Sequence, residues 1–150
     1  MKTCSFLLLL LLPLFSPAQK IDPVVWVFKY QNETQTEAEL VLIATIQEKW
    51  HIYSQHQDGD GPIPTTFKFE PSEEFSLIDK VQEPNCEKVY SEVFASEVLM
   101  FSNQVVFRQK IKFKSKKPFT VNGQLEYMSC NDFSCLPPKT EKFSIQVIPK

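Results

Sequence analysis

Glycine is scarce in this 150-residue chain, with three residues against eleven prolines. So few glycines leave no phosphate-cradling loop, and no serine–histidine–acid constellation can be argued either, so nucleotide binding and serine hydrolysis drop out. Histidine is scarcer still, with only His51 and His56. A soft-metal site drawn from His51, His56, Cys130, Cys135 and Met128 is chemically conceivable outside the cytoplasm, but the paired ligand spacings of zinc sites are missing. Asp58-Gly59-Asp60-Gly61 lacks the further acidic ligands of a calcium loop and reads as a tight turn. The expectation is therefore no metal and no cofactor. Charge of one sign is missing too: 16 basic and 18 acidic residues are interspersed, for a formal −2. That leaves no basic surface for nucleic acid or anionic lipid.

Long apolar runs are lacking after the start. The one run, Phe6 to Phe15 behind Lys2, is too short to span a bilayer. Ser16-Pro17-Ala18 then offers small residues at the positions a signal peptidase reads, so residues 1–18 are expected to be a cleaved signal peptide and Gln19 the mature start. No later stretch predicts membrane insertion, so the expectation is an exported, soluble domain over residues 19–150. The triplet Asn32-Glu33-Thr34 is a formal glycosylation sequon with no further support.

What the sequence has in abundance is alternation. Val105, Phe107, Ile111 and Phe113 alternate with Val106, Arg108, Lys110 and Lys112; Val121, Leu125 and Tyr127 with Asn122, Gln124 and Glu126; Phe143, Ile145 and Val147 with Lys142, Ser144 and Gln146. A period of two marks half-buried strands. Further strands are predicted over Val24 to Tyr30, Glu39 to Gln47 continuing into Trp50 to Ser54, Thr65 to Glu70 and Phe75 to Val81. Glu87 to Met100 fits neither period and reads as a strand end followed by an aromatic-bearing loop. No window shows a helical stripe. Seven or eight short strands separated by turn residues predict an all-β, immunoglobulin-like antiparallel β-sandwich in a single domain. Thirteen phenylalanines supply its core, with Phe28, Tyr30, Phe67, Phe69, Phe107 and Phe113 as the simplest candidates.

Beyond the leader the cysteines are Cys86, Cys130 and Cys135, an odd number for an oxidising compartment. Cys86, in a turn after Pro84-Asn85, has no base or ligand nearby in sequence and reads as a free thiol, buried or half-buried. Cys130 is expected to end the strand containing Leu125 and Tyr127, with Asn131 to Ser134 as a four-residue hairpin loop and Cys135 beginning the return. Directly opposed residues in a non-hydrogen-bonded antiparallel pair have Cα atoms roughly 4.5 Å apart, at the short edge of the disulfide range. Bridges that are strained and exposed are the labile ones, and so short a loop gives little entropic stabilisation. Pro137-Pro138 cannot donate to a neighbouring strand, which sets the hairpin at a sheet margin. The same spacing also fits a structural disulfide, and geometry leaves the two readings open.

The motifs Trp50-His51-Ile52-Tyr53-Ser54, Gly61-Pro62-Ile63-Pro64-Thr65-Thr66-Phe67, Val89-Tyr90-Ser91-Glu92-Val93-Phe94 and Leu125 through Cys130-Asn131-Asp132-Phe133-Ser134-Cys135-Leu136-Pro137-Pro138 resemble the amino-terminal periplasmic domain of the DsbD thiol-disulfide interchange proteins, over most of the mature chain. The resemblance implies an immunoglobulin-like fold whose cysteine pair cycles between dithiol and disulfide, exchanging with thioredoxin-like periplasmic partners. It casts Cys135 as the sulfur that joins partners and Cys130 as the one that resolves the mixed disulfide. It also implies an aromatic cap, best matched by Phe94 with Val93 as the alternative. Tyr53 and Glu92 match polar residues lining the family's site, and His51 falls where an aromatic residue can stand. Two departures stand out. Four residues separate the pair, against five in some members, and the chain stops at Lys150 without the membrane and thioredoxin-like domains. The expected electron donor is then a separate membrane protein, unless the chain is a fragment of a larger system. A non-catalytic exported binding module with a structural disulfide is the competing function.

Overall fold

The computed structural model describes residues 21–57, 59 and 61–150; the expected signal peptide lies outside them. Eleven strands are found among the described residues, in three antiparallel sheets. The first sheet runs β1 (Val24–Asn32), β2 (Glu37–Ile46), β8 (Gln104–Phe113), β5 (Phe75–Gln82). Facing it is a three-stranded sheet of β11 (Lys139–Val147), β9 (Phe119–Tyr127) and β4 (Thr66–Phe69). Buried residues from both form one core, including Leu40, Leu42, Phe107 and Ile111 on one side and Val121, Leu125, Phe143 and Ile145 on the other. Ring pairs span the layers: Trp26 with Tyr127 at 5.6 Å, Phe28 with Phe143 at 5.2 Å and Phe67 with Phe107 at 4.9 Å between centroids. Tilted arrangements at such distances are favoured by the ring quadrupoles. This is the predicted all-β sandwich.

Period-two alternation explains these layers directly. Along β9 every second residue is buried, from Phe119 to Tyr127. Gly123 takes one of those inward positions because Phe143, its partner in β11, lays its ring where a side chain would go; an added Cβ would also sit 2.7 Å from the Lys68 carbonyl oxygen. Gln109 is a polar residue in an inward position of β8. Its Nε2 donates to the carbonyls of Ile78 at 2.9 Å and Lys110 at 2.8 Å, satisfying backbone freed by the irregularity in β5 between Ile78 and Gln82.

The third sheet is ordered β10 (Ser129–Cys130), β3 (His51–Tyr53), β7 (Ser96–Ser102), β6 (Glu87–Ser91). Chains leaving the sandwich build it. After β2 the backbone turns through Lys49, in the left-handed region at φ 68°, into β3; between β7 and β8 it turns at Asn103, φ 61°. The Asn103 carbonyl accepts from Ile46 N at 2.7 Å and ties the two corners together. Two predicted strands are corrected here. Glu39 to Ser54 is not continuous but crosses from one sheet to another, and β9 stops at Tyr127, so Cys130 belongs to the separate β10. The segment from Glu87 to Met100 is likewise corrected, from loop to the β6–β7 hairpin, turning through Glu92 to Ala95.

Candidate functional site

In β3, Ile52 points into the main core, so alternation sends His51 and Tyr53 to the opposite face. On that face a small second cluster forms from buried Tyr53, Val98 and Cys130, with half-buried Phe94, Met100, Met128 and Cys135 against it. Cys130 lies opposite His51 in the β10–β3 ladder. β10 is the edge of its sheet, the margin expected from Pro137-Pro138.

Cys130 and Cys135 are joined by a disulfide with their Cα atoms 4.0 Å apart. They form an isolated antiparallel bridge flanked by Asn131 N donating to Ser134 O and Leu136 N donating to Ser129 O, both 2.9 Å. The cysteines thus occupy the narrow, non-hydrogen-bonded kind of pair. The loop is held from within. Asn131 Oδ1 accepts from Phe133 N at 2.9 Å and Ser134 N at 2.8 Å, an aspartate-type turn that the residue types at 131–134 announce. Phe133 at its tip is 92% exposed. The two sulfurs are unequal in access: Cys130 is 1% exposed, whereas Cys135 is only half-buried.

The β6–β7 turn hangs over this region. Ala95 at φ 48° makes the turn tight, and Ser91 Oγ accepts from Phe94 N at 3.4 Å. Phe94 meets Tyr53 edge-on, with ring centroids 6.0 Å apart and planes at 89°. Of the two cap candidates, Phe94 packs into the cluster, while Val93 is 52% exposed. A cavity of about 290 Å³ opens between turn and bridge, lined among others by His51, Tyr53, Glu92, Val93, Cys130 and Asp132. Every sequence-predicted site residue is therefore in this region, although Glu92 is exposed.

Sequence reasoning missed Met100, Val98 and Asp132. The first two come from the hairpin that had no readable period, and nothing local placed Asp132 beside His51. His51 Nε2 and Tyr53 Oη are 3.0 Å apart. Burial pushes the Tyr53 phenol up to about 12. Burial also lowers the His51 imidazole from its ordinary value, with the Asp132 carboxylate pulling the other way. Both groups are thus neutral at pH 7. Cys86 is a half-buried free thiol packed against the main core. Among the described residues no group of three or more histidine, cysteine or acidic side chains is arranged to hold a metal.

A family model described as the N-terminal part of thiol:disulfide interchange protein DsbD matches residues 18–147. The chain belongs to that family. Among solved structures, the N-terminal periplasmic domain of ScsB from Proteus mirabilis is similar at TM-score 0.55 and 15% identity, covering 83% of this chain; the chain spans only 44% of that one. The reduced N-terminal domain of Neisseria meningitidis DsbD is similar at TM-score 0.51 and 13% identity, with 82% and 90% coverage. A complex of the DsbD and PilB N-terminal domains from Neisseria meningitidis matches at TM-score 0.51 and 12% identity, covering 87% of this chain and 86% of that one. Identities this low show a common fold. None of the curated proteins matches. A member of the DsbD amino-terminal family, this chain carries a cysteine pair at bonding distance in the immunoglobulin-like fold of that domain. No helix among its described residues is long and apolar enough to cross a membrane.

Proposed function

We propose that the domain works in the periplasm as a thiol–disulfide exchange module, passing reducing equivalents to or from thioredoxin-like partners through Cys130 and Cys135, with a separate membrane protein as electron donor. The observation that carries the reading is the asymmetry of the pair at the end of a sheet: one half-accessible cysteine, one buried. Exchange needs a sulfur a partner can reach and a second sulfur, close by, that ends the mixed disulfide. Cys135 takes the first role and Cys130 the second. Phe94, with Val93 and Glu92 on the same turn, forms a cap that keeps stray thiols and oxidants away from the bridge until a partner displaces it, while Tyr53 and His51 line the floor. The complex of a DsbD N-terminal domain with a PilB N-terminal domain supports a protein partner of this kind.

Trapping tests the division of labour. Cys130→Ser should accumulate a covalent complex with a thioredoxin-like protein, seen on a non-reducing gel and dissolved by reductant, and Cys135→Ser should trap far less. The trap is run with both redox forms of the partner. Equal trapping by both variants removes the assignment of roles, and no trapping by either favours a structural disulfide in a binding module.

A further inference from the structure

His51 stands directly across the ladder from Cys130, both line the same cavity, and the Asp132 carboxylate acts on the imidazole from the cysteine loop. Cys130 itself is shut off from water. The attacking species in exchange is the thiolate, so a buried resolving thiol needs a local acceptor for its proton. We propose that His51 is that acceptor: it takes the Cys130 proton as the mixed disulfide is resolved and returns it when the bridge is reduced.

This rests on Cys130 and Cys135 being an exchanging pair. In the tautomer whose Nε2–H donates to Tyr53 Oη across the 3.0 Å contact, the one this step uses, Nδ1 is left as the acceptor. In the resolving step the Cys130 S–H proton passes to Nδ1 and the sulfur's electron pair forms the bond to Cys135 Sγ. The bond from Cys135 to the partner's sulfur breaks, and that pair of electrons leaves on the partner as thiolate. The imidazolium proton then goes to this thiolate or to water. The cysteine pair is oxidised by two electrons and the partner reduced by two. Burial keeps the resting imidazole neutral and so able to accept, while Asp132 steadies the imidazolium. The titratable groups that line the cavity with the ring are Tyr53 on its own strand, Cys130 on β10, Asp132 on the cysteine loop, and Tyr90 and Glu92 from β6 and its turn. From β7 the opposed residue is the uncharged Ser102. Local general bases contribute on the order of 10²–10⁴ in rate.

The test uses the reduced chain with Cys86→Ser, mixed with one equivalent of an aromatic disulfide whose thiolate is coloured. A first equivalent of colour reports attack on the reagent, and a second reports Cys130 displacing it. His51→Phe should slow the second phase at pH 7 by roughly tenfold or more, leave the first within about twofold, and recover as pH rises into the ordinary thiol range of about 8.5. Asp132→Asn, on an exposed loop, should move the acid limb of the second phase to lower pH, because a neighbouring carboxylate no longer raises the imidazole. His51→Gln serves if the phenylalanine variant does not fold. A second phase unchanged without His51, or slowed equally at every pH, overturns the inference, and so does an Asp132→Asn profile that stays in place. Release of a single equivalent sinks the exchange reading itself, which two equivalents with a His51-independent second phase would leave standing.

Discussion

The sandwich body and the small sheet at its end are built by opposite rules. In the body, long strands alternate strictly: β9 and β8 run nine and ten residues, and their inward side chains vanish into one core. At the end, β3 and β10 are three and two residues long, and the buried part of their cluster is Tyr53, Val98 and Cys130 alone. Apolar side chains at the loop tips of that end, including Val93 and Phe133, stay exposed. The body holds the fold together, and the end sheet carries the cysteine pair at its edge strand β10. A few buried contacts are also what permits local opening without global unfolding.

Breaking the body should therefore have the largest effect. Phe107, fully buried against Trp26, Phe67 and Phe101, is expected to cost about 3–5 kcal/mol as Phe107→Ala in urea denaturation. A loss below about 1 kcal/mol would mean the stability is shared with the end sheet.

pH should probe the end sheet next, through two groups of β3. Folding holds the Tyr53 proton more tightly than the unfolded chain does, so its contribution is intact below pH 10 and drains away as pH climbs towards about 12. Over that window the Tyr53 share of the loss is about 2–3 kcal/mol at 1.36 kcal/mol per unit, and Tyr53→Phe should remove that share while leaving the share of Tyr127, whose phenol is also raised by burial. His51 works at the other end: its pKa is lowered by folding, so stability is complete above 6.5 and falls as pH drops from there towards the folded value. Urea midpoints across pH 5 to 12 check both signs.

A smaller effect on stability is expected at the cap. Phe94→Ala removes one edge-on ring contact, about 1 kcal/mol, yet should speed reaction of the bridge with small-molecule thiols severalfold, read by stopped-flow reduction. An unchanged rate would give the shielding to Val93 or to no cap at all. Smallest of all is Cys86→Ser, within about 0.5 kcal/mol and with exchange turnover intact; lost turnover would bring a third cysteine into the mechanism.

The same contrast decided what the sequence could reveal. Alternation of Val105, Phe107, Ile111 and Phe113 against charged neighbours marks β8 without ambiguity, because one face is buried and the other wet. Gln109 breaks the pattern only because it serves an irregular neighbour strand. The hairpin of β6 and β7 carries no such signal: Val89 and Tyr90 are both exposed, so hydrophobicity there does not report burial. The breaks at Lys49 and Met128 were illegible for a different reason. With three glycines in the chain, corners fall on residues with no turn signature, and strand continuity over Glu39 to Ser54 is what their residue types imply. The opposed cysteines and the Asn131 turn were readable, because both are local. The pairing of His51 with Cys130, nearly eighty positions away in sequence, depends on register between sheets that no local pattern encodes.

The central claim is that the bridge exists to be made and broken. It is tested by equilibrating the purified chain with a thioredoxin-like protein of known potential and quantifying the reduced and oxidised forms of Cys130 and Cys135 after acid quench. The account predicts measurable exchange and a potential above about −300 mV, within range of thioredoxin-like partners. A bridge more reducing than that, inert to such partners, would make it a structural disulfide and contradict the account.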